Sequence, residues 1–297
     1  MVEPLDIATP TRTQAILTSY GLRAKKKFGQ NFLTDLNIID RIIDTADLSD
    51  DDYVIEIGPG IGGLTEQLAR QAKAVLAVEI DPEMVRVLND TLSPYDNITV
   101  IETDVLTVDL KNIIQKQWGQ VPAVKIVANL PYYITTPILM QLLQAGLSWD
   151  TMVVMMQREV ADRLTAPVGT KEYGVLTVMM AYYAQVQLAV KVPASAFNPA
   201  PRVDSAVVRL QPKNHPYQVQ QPKELFNLVK ICFAHRRKSL WNNLLQAFGK
   251  DAEVKEKLTS ALAEATIEPG IRAERVDLEN FYQLFLALKA QNIKFRS

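Results

Sequence analysis

The chain has 297 residues, 48% of them hydrophobic, and a formal net charge of −1. That composition excludes wholesale disorder, and the length suits one large domain beside a smaller one. A single cysteine, Cys232, with His215 and His235 as the only histidines, excludes an intrachain disulfide framework and leaves no metal expected.

With a charge so near zero, affinity for nucleic acid has to come from local patches. The opening stretch MVEPLDIATPTRTQ is acidic and lacks the apolar stretch of a signal peptide. No uncharged apolar run approaches the ~20 residues that span a bilayer. A soluble, cytoplasmic protein is the expectation.

In chain order, the stretch GLRAKKKFGQNFLTD at 21–35 brings Arg23, Lys25, Lys26 and Lys27 next to Phe28. A charge run is ordinarily solvated surface; the functional alternative is phosphate contact. Thr34 or Asp35 can cap the helix expected over LNIIDRIIDTA. YVIEI at 53–57, AVLAVEI at 74–80, ITVIETD at 98–104, VKIVAN at 124–129 and TMVVMMQ at 151–157 read as strands. Helical patterns at 64–72 and from Pro82 to about Leu92 stand between them. The strands are apolar throughout, as in a parallel sheet covered on both faces. TVMMAYYA, with Met179 and Met180, reads as a further core strand.

The polar, proline-bearing QPKNHPYQVQQPKE at 211–224 reads as a linker, with helical patterns beyond it at 222–234, 238–248, 251–264 and 277–290. The expected class is therefore α/β: a doubly wound, mostly parallel sheet with a small helical C-terminal domain. The expected divisions are a basic arm over 1–35, a ligand-binding domain over 36–211 and a helical domain over 212–297. Handed crossovers put the ligand at the carboxyl ends of the strands.

EIGPGIGGLT at 56–65 joins the first of these strands to its helix. Gly58, Gly60 and Gly63 permit a tight turn and a close approach of ligand to backbone. This spacing alone does not separate NAD from other nucleoside cofactors. Glu79, ending the next strand, can accept bonds from ribose hydroxyls, and Asp104, ending the third, can accept one from an adenine amino group. Two acids over adjacent strand ends suit S-adenosylmethionine, a sulfonium cation, better than a pyrophosphate. The plainer reading of both acids is helix capping.

NLPY at 129–132 resembles the N/D-P-P-Y/F signature of methyltransferases that modify exocyclic amines of nucleobases. Together with KKKFGQNFL at 25–33, EIGPGIGGLT and FNPAPRVDSAVV at 197–208, it resembles the ribosomal RNA adenine N6-dimethyltransferase family. The resemblance runs from about Lys25 into the C-terminal helices, with four motifs in the family's order. It implies a Rossmann-like class I methyltransferase fold and S-adenosyl-L-methionine as cofactor. It also implies, as substrate, two adjacent adenosines in a hairpin loop near the 3′ end of 16S rRNA in the small subunit. A monomer is the default.

The resemblance further implies that Asn31 and Leu33 help to cover the methionine end of the cofactor. The Asn129 side-chain oxygen and the Leu130 carbonyl can each accept one N6–H bond, holding a poor nucleophile in line. Pro131 fixes the turn that presents the carbonyl. Tyr132 offers a stacking face, and by the resemblance Phe197 closes the other face of the target base. The target has to be flipped out of a helix or lie in a loop.

Between Lys191 and Leu245 the basic residues Lys191, Arg202, Arg209, Lys213, Lys223, Lys230, Arg236, Arg237 and Lys238 face only Asp204 and Glu224 as acids. Such a local excess suggests an RNA phosphate-contacting surface, with Arg202, Arg236, Arg237 and Lys238 as its candidates. Cys232 reads as a small buried residue and His235 as surface. Three rivals stand beside this reading: a large-subunit (23S) rRNA adenine methylase conferring macrolide resistance, a ribosome-assembly factor acting mainly by binding, and an NAD oxidoreductase. The extended C-terminal helices favour the small-subunit enzyme over the first.

Overall fold

The computed structural model of the protein describes residues 5–22, 29–120, 123–213, 217, 222–293 and 295. The chain forms two compact units, Met1–Ala161 with Gln187–Pro212, and Asp162–Val186 with Lys213–Ser297.

The first unit begins with α1 (Pro10–Ser19), whose Thr9 cap accepts the Arg12 amide. β1 (Phe32–Leu33) leads to α2 (Leu36–Ala46). Asp35, not Thr34, caps α2 by accepting the amides of Asn37 and Ile38. Ile38, Ile39, Ile42 and Ile43 are its buried face, at the spacing an amphipathic helix requires. Then follow β2 (Tyr53–Ile57), α3 (Gly63–Ala69), β3 (Ala74–Glu79), α4 (Pro82–Thr91), β4 (Ile98–Glu102), α5 (Leu110–Trp118), β5 (Val124–Asn129), α6 (Thr135–Gln144) and β6 (Trp149–Gln157). α7 (Arg158–Leu164) carries the chain into the second unit, where α8 (Val175–Tyr183) lies. β7 (Ala184–Val192), β8 (Phe197–Asn198) and β9 (Ser205–Pro212) return it to the first.

Seven strands form one sheet in the order β4-β3-β2-β5-β6-β9-β7. The pairs β2–β3, β3–β4, β2–β5 and β5–β6 are parallel, and β9 is antiparallel to β6. β2, β3, β5 and β6 are buried along nearly their whole lengths, which is why they read as unbroken apolar runs. From β2 the order runs outward both ways, so the switch point lies between β2 and β5. A separate two-stranded sheet pairs β1 with β8, Phe32 opposite Asn198 and Leu33 opposite Phe197.

The second unit holds α9 (Pro222–Cys232), α10 (Leu240–Phe248), α11 (Ala252–Glu264) and α12 (Leu278–Ala290), one in each expected helical window. Ser239, Asp251 and Asp277 cap α10, α11 and α12 through their side-chain oxygens. α8 packs on α9 and α12.

The division differs from the expected boundaries. Residues 162–186, placed by the sequence in the ligand-binding domain, belong to the helical unit. TVMMAYYA is not a core strand; most of it lies in α8, with Met180 fully buried. Periodicity cannot separate a short buried helix from a buried strand. Of the basic arm expected over 1–35, residues 5–22 belong to the first unit, with Ile7, Ile16 and Leu17 buried in a cluster with Met84, Val87, Leu88 and Leu92.

Candidate active site

A cavity of about 340 Å3 lies at the carboxyl ends of β2, β3, β4 and β5, at the switch point of the sheet. Past β2 the backbone turns through Gly58 at φ +70° and Gly60 at φ +59°, left-handed values that strain any residue with a Cβ. A Cβ on Gly60 would stand 3.4 Å from the Phe32 ring, which crosses the loop there.

Glu79 organises the next strand end. Its Oε1 accepts the amides of Ile80 at 2.9 Å and Asp81 at 2.8 Å, and its Oε2 accepts that of Gly60 at 3.3 Å. The side chain is buried, and burial pushes the carboxyl above its ordinary value despite those three amides. Asp81 in turn caps α4 through Oδ1 and accepts the Gln30 side-chain Nε2 on Oδ2 at 3.1 Å. Asp104, just past β4, accepts the Leu106 amide on Oδ1 at 2.9 Å and also lines the cavity. Both acids make the local turn bonds of the plainer reading, and both face the cavity.

Glu56, inside β2, escaped notice at the sequence level. It is 1% exposed, lines the cavity, and its Oε2 has no hydrogen-bond partner among the described residues. Burial pushes its carboxyl up to about 8, and the neighbouring Glu79 adds to the rise. A lone acid within the apolar run VIEI was the available signal, since Glu is rarely buried without a partner. Ile80, 47% exposed, is a further cavity-lining residue with no sequence signal of its own, and Tyr133, 58% exposed, lines the cavity beside Tyr132.

β5 delivers Asn129 to the cavity mouth, where its Nδ2 donates to the Asn31 carbonyl at 3.5 Å. Asn31 is itself turned by a bond from its Nδ2 to the Gly29 carbonyl at 3.0 Å, and Leu33 lies beside it in the lining. Among the described residues neither Asn129 Oδ1 nor the Leu130 carbonyl accepts a hydrogen bond, although both residues line the cavity. The Leu130 amide is bonded to the Met155 carbonyl at 3.1 Å, and the Pro131 carbonyl accepts from Ile134 and from Thr135 Oγ1. The turn is thus fixed on both sides of Leu130. Tyr132 is half-buried, and its hydroxyl lies 2.6 Å from Ser205 Oγ. Burial raises its phenol, so it stays protonated at neutral pH.

Phe197 departs from expectation. Its ring is 5% exposed and packs in the core cluster with Leu33, Val190, Val192, Ala196 and Val207. It is absent from the cavity lining, so no open clamp with Tyr132 is formed. The register that pairs Phe197 with Leu33 puts its side chain into the core instead.

Of the basic candidates, Arg23, Lys25, Lys26 and Lys27 lie outside the described residues. Arg202, in the first unit, is exposed. In the second unit Arg236 is engaged internally, donating to the carbonyls of Lys171 and Tyr173 and pairing with Glu274 at 3.3 Å. Arg237 is exposed with no partner among the described residues, and Lys238 reaches Gln246 at 3.2 Å. His235 is exposed, and Cys232 is fully buried, which pushes its thiol up and suppresses thiolate. Among the described residues no group of His, Cys, Asp or Glu could hold a metal ion, and no helix is long and apolar enough to cross a membrane.

The sequence model of the family described as ribosomal RNA adenine dimethylase matches residues 21–289. The chain is 64% identical to a ribosomal RNA small subunit methyltransferase A of Leuconostoc mesenteroides, over 99% of both chains. It is 52% identical to the protein of the same name from Ligilactobacillus salivarius, over 97% of this chain and 98% of that one. Among solved structures it resembles a dimethyladenosine transferase from Plasmodium falciparum, at 28% identity and a TM-score of 0.73 over 88% of this chain and 98% of that one. It also resembles the 23S rRNA methyltransferase ErmE, at 31% identity and a TM-score of 0.66 over 87% of this chain and all of the other. A match across nearly the whole length, on a fold whose β2 and β5 carry EIGPGIGGLT and NLPY to the cavity, leaves one assignment: the chain belongs to the ribosomal RNA adenine dimethylase family.

Proposed function

We propose that the chain dimethylates N6 of two adjacent adenosines in a hairpin loop near the 3′ end of 16S rRNA, with S-adenosylmethionine as methyl donor. It does so in the cytoplasm during small-subunit maturation. The observation that carries the chemistry is the pair of free acceptors, Asn129 Oδ1 and the Leu130 carbonyl, on a rigid turn at the rim of the cavity. The small-subunit choice rests on the names of the relatives that are 64% and 52% identical.

The cavity suits the cofactor. Its volume falls in the range of small-molecule sites, and the buried Glu56, neutral at pH 7, keeps an unpartnered Oε2 that a ligand donor can bond and whose ionisation a cationic ligand favours. Glu79 keeps acceptor capacity on Oε2 for ribose hydroxyls, and Asp104 Oδ2 is free to accept an adenine amino group. Asn31 and Leu33 cover the end nearest Asn129. When bound, S-adenosylmethionine supplies an electrophilic methyl group.

The chain's own residues position the acceptor amine. Two N6–H bonds, to Asn129 Oδ1 and the Leu130 carbonyl, draw the nitrogen toward tetrahedral geometry and hold its lone pair in line. The Tyr132 ring, tethered by Ser205, offers the target base a face to stack on. Its protonated hydroxyl takes no part as a base, and the amine proton leaves to solvent after transfer. Arg202, Arg237 and Lys238 contact phosphate, which orients the RNA without reading its sequence. The protein works as a monomer.

The test is incubation of the chain with labelled S-adenosylmethionine and unmodified small subunits, with large-subunit rRNA in parallel, followed by mapping of the label. Label on N6 of adjacent small-subunit adenosines is expected. Label confined to large-subunit rRNA overturns the substrate assignment.

A further inference from the structure

The match to the family begins at residue 21, so α1 and the segment before it lie outside it. These residues nevertheless reach the cavity. Thr13, fully buried, is part of its lining, and its hydroxyl donates to the Ile7 carbonyl at 2.8 Å. Phe32 and Ile61, both in the lining, are backed by Ile7, Ile16 and Leu17. Ala8 lies against the start of α3 so closely that a Cβ on Gly63 would stand 3.1 Å from its own.

One side chain fastens the segment down. Glu66 on α3 is buried; its Oε2 accepts the Ile7 amide at 2.8 Å and its Oε1 accepts the Tyr95 hydroxyl at 3.0 Å. One turn on, Arg70 pairs with Asp6 at 2.7 Å and donates to the Tyr95 hydroxyl at 3.2 Å. A buried carboxylate accepting a backbone amide is among the stronger hydrogen bonds, and among the described residues the Ile7 amide has no other acceptor.

We infer that residues 5–20 form a fixed wall of the cofactor cavity, latched by Glu66, and that this latch sets the affinity for the adenosyl ligand. The inference rests on the cofactor assigned above. A ligand filling the cavity presses on Thr13, Phe32 and Ile61. It therefore binds the docked segment better than the undocked one, and docking and binding strengthen each other.

The experiment is calorimetry with S-adenosylhomocysteine on the full chain, unaltered and as Glu66→Gln, with amide hydrogen exchange over 5–20 on the same samples. The amide of Gln is nearly isosteric but sets a donor against the Ile7 amide or the Tyr95 hydroxyl. Affinity is expected to fall about tenfold, exchange over 5–20 to rise, and the ligand to slow that exchange in the unaltered chain. Gly63→Ala supplies an independent arm. Inside a helix this change is ordinarily neutral or favourable, so weaker binding that Ala8→Gly partly restores supports the wall. Equal affinity in Glu66→Gln despite faster exchange overturns the inference, because the segment then docks without serving the cavity. Unchanged exchange removes the latch. Failure of the unaltered chain to bind overturns the cofactor assignment first, and the wall's role with it.

Discussion

The Tyr132 hydroxyl and Ser205 Oγ lie 2.6 Å apart, tying the turn after β5 to the first residue of β9. That bond fixes the tilt of the ring proposed to receive the target base. Tyr132→Phe keeps the ring and loses the tether, and a fall of about fivefold in kcat/KM is expected from one hydrogen bond of roughly 1 kcal/mol. Tyr132→Ala loses the stacking face as well, and roughly 5- to 150-fold is expected from ~1–3 kcal/mol per stacked base. Steady-state kinetics on unmodified small subunits decide. An alanine variant no worse than the phenylalanine one removes the ring from the site.

Glu56 ties stability to pH. In the folded chain burial holds its proton up to about pH 8, whereas the unfolded chain releases it in the ordinary carboxylate range. Between those limits the native state carries a proton that the unfolded state has lost, so stability falls as pH rises through the window. Glu79, also raised by burial, adds to the same trend. Glu56→Gln removes one source of the slope. Urea midpoints measured at about pH 5 and about pH 8 should differ less for the variant than for the unaltered chain. Equal differences refute the assignment.

Phe197 is a core residue by position. Phe197→Ala should destabilise the chain by about 3–5 kcal/mol, and Phe197→Leu by much less, with methyl transfer largely kept. Urea unfolding and turnover are measured together. A leucine variant of full stability and greatly reduced turnover restores the base-stacking role that the sequence suggested.

Adjacent arginines in the second unit should part company. Arg237→Ala and Lys238→Ala each remove a proposed phosphate contact, so the plot of log affinity against log salt is expected to flatten by about one unit apiece. Arg236→Ala instead frees the Lys171 and Tyr173 carbonyls and Glu274, so thermal stability drops. Filter binding to small-subunit rRNA over a salt series, beside melting curves, separates the two effects. An Arg236 variant with the shallower slope and an unchanged melt reverses the assignment.

The parts of the fold that could be read in advance were those whose physics is local. β2, β3, β5 and β6 are buried on both faces and announce themselves as apolar runs, and Asp35 caps α2 through its own side chain. Glu79, Asp104 and Asn129 follow from where β3, β4 and β5 end. What escaped depends on distant partners. β1 and β8 have only two residues each and exist because Phe32 and Leu33 meet Asn198 and Phe197. The burial of Phe197 follows from the same pairing. Glu56 was passed over as one acid among apolar neighbours, and only the packed cavity shows that its oxygen lacks a partner.

The pairing of Leu33 with Phe197 also bears on how the protein is made. Leu33 leaves the ribosome early, but its partner follows more than half a chain later, and β9, which lies between β6 and β7, is later still. Contacts of such long sequence separation form slowly, since the intervening loop must close before they repay it. A nascent chain can therefore lay down β2 to β5 while the cavity rim waits. A chain that ends before residue 197 lacks the pairing partner of Leu33, so that stretch of the cavity rim is held in place only once the last strands of the first unit are made.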